Sequence, residues 1–228
     1  MVWLIKLPGL LLALYLLYAG SNNLLHCIYL LFMEEIKQGS FGPGEYLCIT
    51  GFADCSEYSA GIAPFTGMLS IYHQYSIRNH VDRGGLMQTG QDTVESSGGG
   101  HRSTFFDLQN EIGQSIVTVK ASSGEFYASH RFSDREFTST GSLLTQYERT
   151  HSLGSLKAIY VGERVKVIGK LAREGNKVFM TGSNILEPLL VSNLNKSELL
   201  ARLVVGAAMI AGSFVLAVSV LSLKDLPV

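Results

Sequence analysis

The feature that most constrains this chain is its last apolar run, Leu203 to Leu223. The run contains no charged residue, and its only polar side chains are three serines, whose hydroxyls can bond to the carbonyls of their own helix. At about 1.5 Å of rise per residue, a helix of this length covers roughly the 30 Å hydrocarbon core of a bilayer. Buried helices of soluble proteins usually carry a polar stripe, and this run has none. The sequence therefore predicts a transmembrane helix over residues 203–223.

A second apolar region, residues 1–33, predicts an N-terminal membrane anchor. Its first part is long enough to cross a bilayer and predicts a span over about residues 3–20, whereas residues 24–33 are too few and are expected at the interface. A cleaved signal peptide is the alternative, with Lys6 as its basic region and small residues at 19–21 near a cut. We favour the anchor, because cleavage there would leave a very apolar new N-terminus.

Two spans place both termini on one side of the membrane and the middle of the chain on the other. Lys6 and the α-amino group precede the first span, and Glu34 and Glu35 follow it. Positively charged flanks favour the cytoplasm. The sequence thus favours an integral membrane protein whose middle domain lies on the non-cytoplasmic side.

Composition limits the kinds of partner that are expected for that middle domain. The formal net charge of the chain is −1, so nucleic acid is not an expected partner. The three cysteines form no C-x-x-C and cannot build a zinc finger or a RING. Cys48 and Cys55 could form a disulfide if the domain faces an oxidising space, or they are two small core residues.

Residues 41–191 predict a small, mainly β domain with one or two short helices. Segments such as 46–52 and 164–171 are rich in strand-forming residues and are separated by glycine-containing turns. Many short strands of this kind indicate a barrel or a sandwich. One short helix is expected where apolar residues have helical spacing, at Leu143, Leu144 and Tyr147.

Residues 68–81 form the clearest strand pattern, with strict alternation of apolar and polar residues. The expected buried face comprises Leu69, Ile71, His73, Tyr75 and Ile77, among which His73 is expected to be a hydrogen-bonded core residue. The opposite face carries a candidate partner-binding set: Tyr72, Gln74, Arg78 and His80. Tyrosine and arginine are enriched in interfaces, although such a face is also ordinary for a solvated sheet.

Residues 82–104 contain two glycine clusters and few apolar side chains. Such a segment cannot offset the entropy of ordering by burial. We therefore expect a flexible loop over residues 82–104.

No motif with catalytic or metal-binding spacing is present, so no catalytic, cofactor or metal residue is predicted. A membrane-bound hydrolase with a site assembled from dispersed Ser, His and acidic residues remains an alternative. Small residues four positions apart in the last span allow close helix packing and hence a homo-oligomer through the C-terminal helix: Ala207 with Ala211, and Ala208 with Gly212.

The order of segments resembles a known family. Pro64 and Gly67 precede the alternating strand, Phe106 and Leu108 precede Gly113, and a hairpin runs from Gly162-Glu163 to Leu171, all between two apolar spans. This resembles the GIDE domain, also called the "beside a membrane" domain, of the mitochondrial ubiquitin ligase family and its prokaryotic relatives. The resemblance covers most of residues 46–223.

The resemblance implies two spans with a β-rich domain between them. In the ligase branch a C-terminal RING carries the activity and the membrane-side domain binds partners. This sequence has no RING, so ligase activity is not expected, and a RING-less relative of a membrane ubiquitin ligase is a further alternative. Our main expectation is a membrane-anchored, non-catalytic binding or scaffold protein whose β-rich domain recognises a protein partner next to the bilayer.

Overall fold

A computed structural model describes residues 3–35, 42–55, 60–83, 93–103, 105–121, 124–139, 148–175 and 177–222. The chain divides into a helical unit, residues 1–34 and 194–228, and a β unit, residues 35–193. In chain order the elements are α1 (Trp3–Phe32), β1 (Tyr46–Asp54), β2 (Gly61–Ile62), β3 (Leu69–Arg83), β4 (Thr93–Ser103), β5 (Phe106–Gln109), β6 (Ser115–Val119), β7 (Gly124–Tyr127), β8 (His130–Ser139), β9 (Glu148–Tyr160), β10 (Arg164–Glu174), β11 (Lys177–Thr181), β12 (Leu189–Ser192) and α2 (Lys196–Ser222).

Both helices of the helical unit are long and apolar enough to cross a membrane. Residues 6–32 have a mean hydropathy of 1.3, and residues 196–222 have 2.4. The expected division of the first region at residue 20 is wrong, because α1 continues without a break to Phe32. Of the polar residues between the two apolar stretches, Asn23 is bonded within the helix pair. There, the Asn23 side-chain amide donates to the carbonyl of Arg202 at 3.1 Å.

The two helices are antiparallel and pack along small residues. On α2 the buried positions recur every seven residues, at Leu199, Gly206, Ser213 and Val220. This is the spacing of a left-handed helix pair. A Cβ added to Gly206 would lie 3.1 Å from the carbonyl oxygen of Gly20, so two glycines let the backbones meet. The small residues expected to mediate self-association lie on other faces of α2 and are exposed in the pair: Ala207, Ala208, Ala211 and Gly212.

The start of α2 is fixed by a reciprocal cap. Asn195 Oδ1 accepts the backbone N–H of Glu198 at 2.9 Å, and Glu198 Oε2 accepts the backbone N–H of Asn195 at 2.9 Å. This capping box satisfies helix donors that have no partner within the helix. It also occupies the asparagine of the Asn195-Lys196-Ser197 sequon.

The core of the β unit is a closed five-stranded barrel. Its ring of pairings runs β1–β5–β6–β11–β10 and back to β1. Every pairing is antiparallel except the parallel pair of β6 with β11. This Greek-key connectivity is that of an OB-type barrel. Of the two expected architectures, barrel and sandwich, the structure has the barrel. β12 and β7 extend the sheet from β10.

Apolar side chains fill this barrel, as period-two alternation on its strands dictates. The largest set of buried residues includes Leu47, Ile49, Phe106, Leu108, Val119, Val167, Leu171 and Met180. Gly51 is required where β1 passes β5, because a Cβ there would lie 2.5 Å from the carbonyl oxygen of Gln109.

A second sheet contains five strands, β2, β3, β4, β8 and β9, and we call its four long strands, β3, β4, β8 and β9, the arm. β3 pairs with β9 from Ser70 opposite Tyr160 to Arg83 opposite Glu148, β4 pairs with the other edge of β3, and β8 pairs with β9. The arm strands come from two connections of the barrel, one between β1 and β5 and one between β6 and β10. The two insertions therefore stabilise each other by pairing.

The flexible loop expected over residues 82–104 is wrong for residues 82–83, which end β3, and for residues 93–103, which form β4. Gly100 in this strand has a packing role. A Cβ on Gly100 would lie 3.1 Å from Cε1 of Tyr75, so the tyrosine ring of the neighbouring strand covers the glycine. The helix expected at Leu143, Leu144 and Tyr147 falls outside the described residues.

Candidate functional site

The four residues proposed as a binding face occupy one face of β3. β3 pairs with β9 without irregularity from Tyr72 to Arg83, so Tyr72, Gln74, Arg78 and His80 alternate to the same side. The Tyr72 ring stacks on Phe126, with centroids 4.4 Å apart and planes 1° apart. Its hydroxyl donates to Gln74 Oε1 at 3.4 Å. The side chains of Arg78 and His80 lie outside what the structure describes.

The register adds residues that sequence spacing did not bring together. On β9, Lys157 lies opposite Gln74, Ser155 opposite Ser76, and His151 opposite His80. The hydroxyls of Ser76 and Ser155 are 2.6 Å apart. These pairs join distant parts of the sequence, so only the antiparallel ladder reveals them. We call this side of β3 and β9, from Tyr72 to His80 on β3, the polar face.

At the start of β3 the expected pattern of burial is reversed. Ser70 is buried, whereas Leu69 is 55% exposed. A β-bulge explains the reversal, because Ser70 pairs with Tyr160 and Tyr72 pairs with the adjacent Ile159, which leaves Ile71 as an extra residue. Beyond the bulge the expected alternation holds, and Ile71 and His73 are buried.

His73 is a hydrogen-bonded core residue, as the sequence predicted. Its Nδ1 lies 2.9 Å from Ser70 Oγ, and that hydroxyl donates to the carbonyl of Gly61 at 3.2 Å. Since the serine proton goes to Gly61, we assign the proton of the shared bond to Nδ1 of His73. Burial lowers the pKa of His73, and the nearby Arg102 lowers it further. The imidazole is therefore held neutral.

The Ser70–His73 pair resembles part of a hydrolase site, because a serine hydroxyl lies within hydrogen-bond distance of a histidine. A serine nucleophile needs access to substrate and a histidine oriented by a third, usually acidic, group. Ser70 is 1% exposed, and the charge acting on His73 is that of Arg102, which opposes formation of an imidazolium. The pair therefore fastens β2 to β3. In the described parts of the chain, no group of three His, Cys, Asp or Glu could hold a metal ion.

The suggested Cys48–Cys55 disulfide is wrong. Both thiols are free and buried. Cys48 lies within β1 and Cys55 follows its last residue, so the two are separated along one strand by roughly 20 Å, whereas a disulfide needs Cα atoms within about 7 Å. The pKa of each thiol is raised to about 11, mainly by burial, and at Cys55 the carboxylates Asp54 and Asp107 contribute to the rise.

Two facing carboxylates escaped the sequence analysis. Asp54 and Asp107 lie opposite each other on β1 and β5, and Asp107 is buried. Thr118 Oγ1 donates to Asp107 at 2.5 Å, and Gln109 Nε2 donates to Asp54 at 2.5 Å. Each carboxylate thus has its own donor, which is the arrangement of a structural pair. The sequence signal for this pair was a charged residue at position 107 between the strand residues Phe106 and Leu108.

An apolar hairpin tip, residues 62–69, is the second surface that the sequence analysis missed. Its large side chains point to solvent: Ile62 is 66% exposed, Phe65 39%, Met68 51% and Leu69 55%. The backbone of Phe65 has a φ of 67°, a strained conformation for an aromatic residue. These side chains form a contiguous exposed apolar segment, which is unusual on a solvated surface.

Comparison of the chain with protein families, curated proteins and solved structures finds no match.

Proposed function

We propose that this protein is a membrane-anchored, non-catalytic binding module whose β unit recognises a protein partner next to the bilayer. In this proposal α1 and α2 both span the membrane, the termini are cytoplasmic, and the β unit lies on the non-cytoplasmic side. Self-association through the outward faces of α2 belongs to the same proposal, because Gly212 has open space around it within 4 Å. The proposed partners are thus the lipid bilayer, a protein and a second copy of this chain.

The length and the polar face of the arm are the observation that supports this proposal. The barrel strands β1 and β10 have 9 and 11 residues, whereas β3 has 15 and pairs along most of that length with β9. A ladder of this length is about 45 Å long at about 3.4 Å per residue. Its polar face combines a stacked aromatic platform at Tyr72 with the exposed amide of Gln74. Rigid aromatic anchors with neighbouring hydrogen-bonding groups are typical of protein-binding surfaces.

The family assignment is part of the proposal. An apolar helix, a β unit and a second apolar helix follow one another in the order that the GIDE resemblance requires. The hairpin of β10 and β11 and the β5–β6 hairpin occupy the segments that carried the resemblance. Membership among the RING-less relatives of the ligases would give the β unit a partner-binding role without ligase chemistry.

Site-specific photo-crosslinking tests the binding face. A photoreactive side chain at position 74 of the full chain, expressed in its native membrane, should give one dominant crosslinked protein. The crosslink should be lost with Arg78→Glu in the same chain and should be competed by unlabelled full-length protein. Tyr72 is left intact, because its ring packs on Phe126.

The matched control is on the barrel. The Arg173 side chain is exposed and bonds to the carbonyl of Gly175 in the β10–β11 turn. Arg173→Glu makes the same charge change as Arg78→Glu and should leave the crosslink intact. If the crosslink at position 74 survives Arg78→Glu, or if none forms above the level obtained with the photoreactive group at position 173, the polar face is not the binding surface.

A further inference from the structure

We propose that the apolar hairpin tip, residues 62–69, inserts into the interfacial region of the bilayer that α1 and α2 cross. The inference rests on the membrane anchoring in the proposed function and is independent of a protein partner. The tip would be a second, peripheral membrane contact made by the β unit.

The tip is a preformed wedge. Ala63 and Met68 close it through a backbone hydrogen bond of 2.9 Å. Thr66 Oγ1 donates to the carbonyl of Ala63 and accepts the backbone N–H of Met68, each at 3.4 Å. The Phe65 ring packs edge-on to Tyr75, with centroids 6.3 Å apart. A shape fixed in advance avoids the entropy cost of ordering the tip on binding.

A chain of contacts inside the β unit connects the hairpin tip to Asn193, the last residue of that unit. The hydroxyl of Tyr160 donates to Thr66 Oγ1 at 3.4 Å, and the backbone N–H of Tyr160 donates to Glu163 Oε2 at 3.1 Å. The same Oε2 accepts the side-chain amide of Asn193 at 2.9 Å. Arg131 supports this chain, with its guanidinium on Glu163 and over the Tyr160 ring. Asn193 is therefore only a few contacts from the tip.

The covalent chain then limits how far the tip can be from the membrane. Asn193 ends the β unit, and α2 begins at Lys196. Three residues span at most about 10 Å. The polar first turns of α2 add roughly another 10 Å before the apolar run begins at Leu203. A surface close to Asn193 is therefore able to reach the lipid headgroups.

The charge around the tip fits a lipid interface. Residues 60–81 contain no Asp or Glu. Arg102 lies beside the base of the tip, because its Cδ is 3.1 Å from where a Cβ on Gly61 would be. Apolar side chains flanked by arginine and free of carboxylates are typical of segments that lie in the headgroup region, where the arginine stem also covers apolar surface.

Depth-dependent fluorescence quenching in reconstituted full-length protein tests the inference. The chain has a single tryptophan, Trp3, so Trp3→Phe provides a tryptophan-free background. Met68→Trp is introduced there, and the protein is placed in vesicles of phosphatidylcholine and phosphatidylglycerol with brominated acyl chains. We expect severalfold stronger quenching for Met68→Trp than for Ile112→Trp. Ile112 is a matched apolar position, 76% exposed in the β5–β6 turn.

A carboxylate at the tip provides an independent variant. In the Met68→Trp chain, Ile62→Asp should sharply reduce quenching, because an aspartate must stay in water, whereas Ile112→Asp should leave it unchanged. Both substituted positions are exposed isoleucines, so loss of folding is not expected from either. Circular dichroism melting curves verify this.

Phe214→Trp separates failure of the inference from failure of the anchoring, since Phe214 lies on an exposed face of α2. Quenching of Phe214→Trp without quenching of Met68→Trp overturns the inference and leaves the anchoring intact. Absence of quenching at both positions overturns both. A third outcome is that the lipid does not quench Met68→Trp, whereas protection of this tryptophan from aqueous acrylamide increases with protein density. This outcome would show that a second copy covers the tip, and it would also overturn the inference.

Discussion

At the scale of single residues, buried polar side chains in the β unit are bonded to a near neighbour. Asp107 accepts from Thr118 on the paired strand, and Ser192 donates to the carbonyl of Tyr127 at 3.2 Å. His73 Nδ1 donates a hydrogen bond to Ser70 Oγ. An unpaired buried polar group costs about 1–3 kcal/mol. The pairs therefore fix the register of the strands that carry them.

His73 makes the stability of the β unit depend on pH. Its pKa is lowered in the folded protein by burial and by Arg102, so the unfolded chain binds the proton more readily. The free energy that this difference contributes is fully present above the ordinary histidine pKa of about 6.5, and it is lost as the pH falls below that value. We expect the melting temperature to fall between pH 7 and pH 5, and to fall less in His73→Gln.

The control for this effect is His130→Gln, at an exposed position. It should retain the full decrease in melting temperature. Equal decreases in the wild type and in His73→Gln would mean that another group governs the acid sensitivity.

At the scale of elements, local sequence patterns predicted the second helix and the long strand. The apolar run of α2 and the alternation of β3 are written in consecutive residues, so sequence alone predicted both. The ladder of β4 was missed, because glycine at position 100 was taken as a sign of disorder. Its reason is the Tyr75 ring on another strand, and no local pattern contains that information.

For the candidate site, too, local sequence patterns predicted some features and missed others. Tyr72 and Gln74 were assigned to one face by alternation, and the structure places them there. The disulfide suggestion failed because Cys48 and Cys55 follow one another along the line of β1 and do not face each other. The hairpin tip was missed because its exposure follows from a bulge and a positive φ at Phe65, neither of which composition indicates.

The helix pair depends on glycine at one crossing point. Gly206 meets the backbone of Gly20, whereas Gly212 has no atom within 4 Å of an added Cβ. We expect Gly206→Val to destabilise the helix pair by about 1–3 kcal/mol through overpacking. Gly212→Val should have little effect on the pair. Reversible unfolding of the monomeric full chain in mixed micelles measures both, and equal destabilisation by the two variants would contradict the observed packing.

At the scale of the whole molecule, a barrel with two paired insertions is connected at both ends to apolar helices. The barrel closes through the pairing of β1 with β10, which are far apart in the sequence. The arm likewise joins β3 and β9 from separate insertions. Topology of this kind arises from long-range pairing, which explains why the sequence predicted β structure here but left barrel and sandwich as alternatives.

The side of the membrane that holds the β unit decides where a partner must be sought. The native thiols of Cys48 and Cys55 are buried with pKa values of about 11, so they carry almost no thiolate at neutral pH and should not react in the folded protein. A reporter can therefore be added while both are retained. Ile112→Cys, in a Cys27→Ala background, places a thiol at an exposed turn of the barrel.

We expect a membrane-impermeant maleimide to label Ile112→Cys in intact cells, because the charges that flank the first span favour cytoplasmic termini. The parent Cys27→Ala chain should stay unlabelled until it is denatured, when Cys48 and Cys55 become accessible. Labelling of Ile112→Cys only after the membrane is permeabilised would place the β unit in the cytoplasm. The proposed orientation would then be wrong, and the partner of the polar face would have to be a cytoplasmic protein.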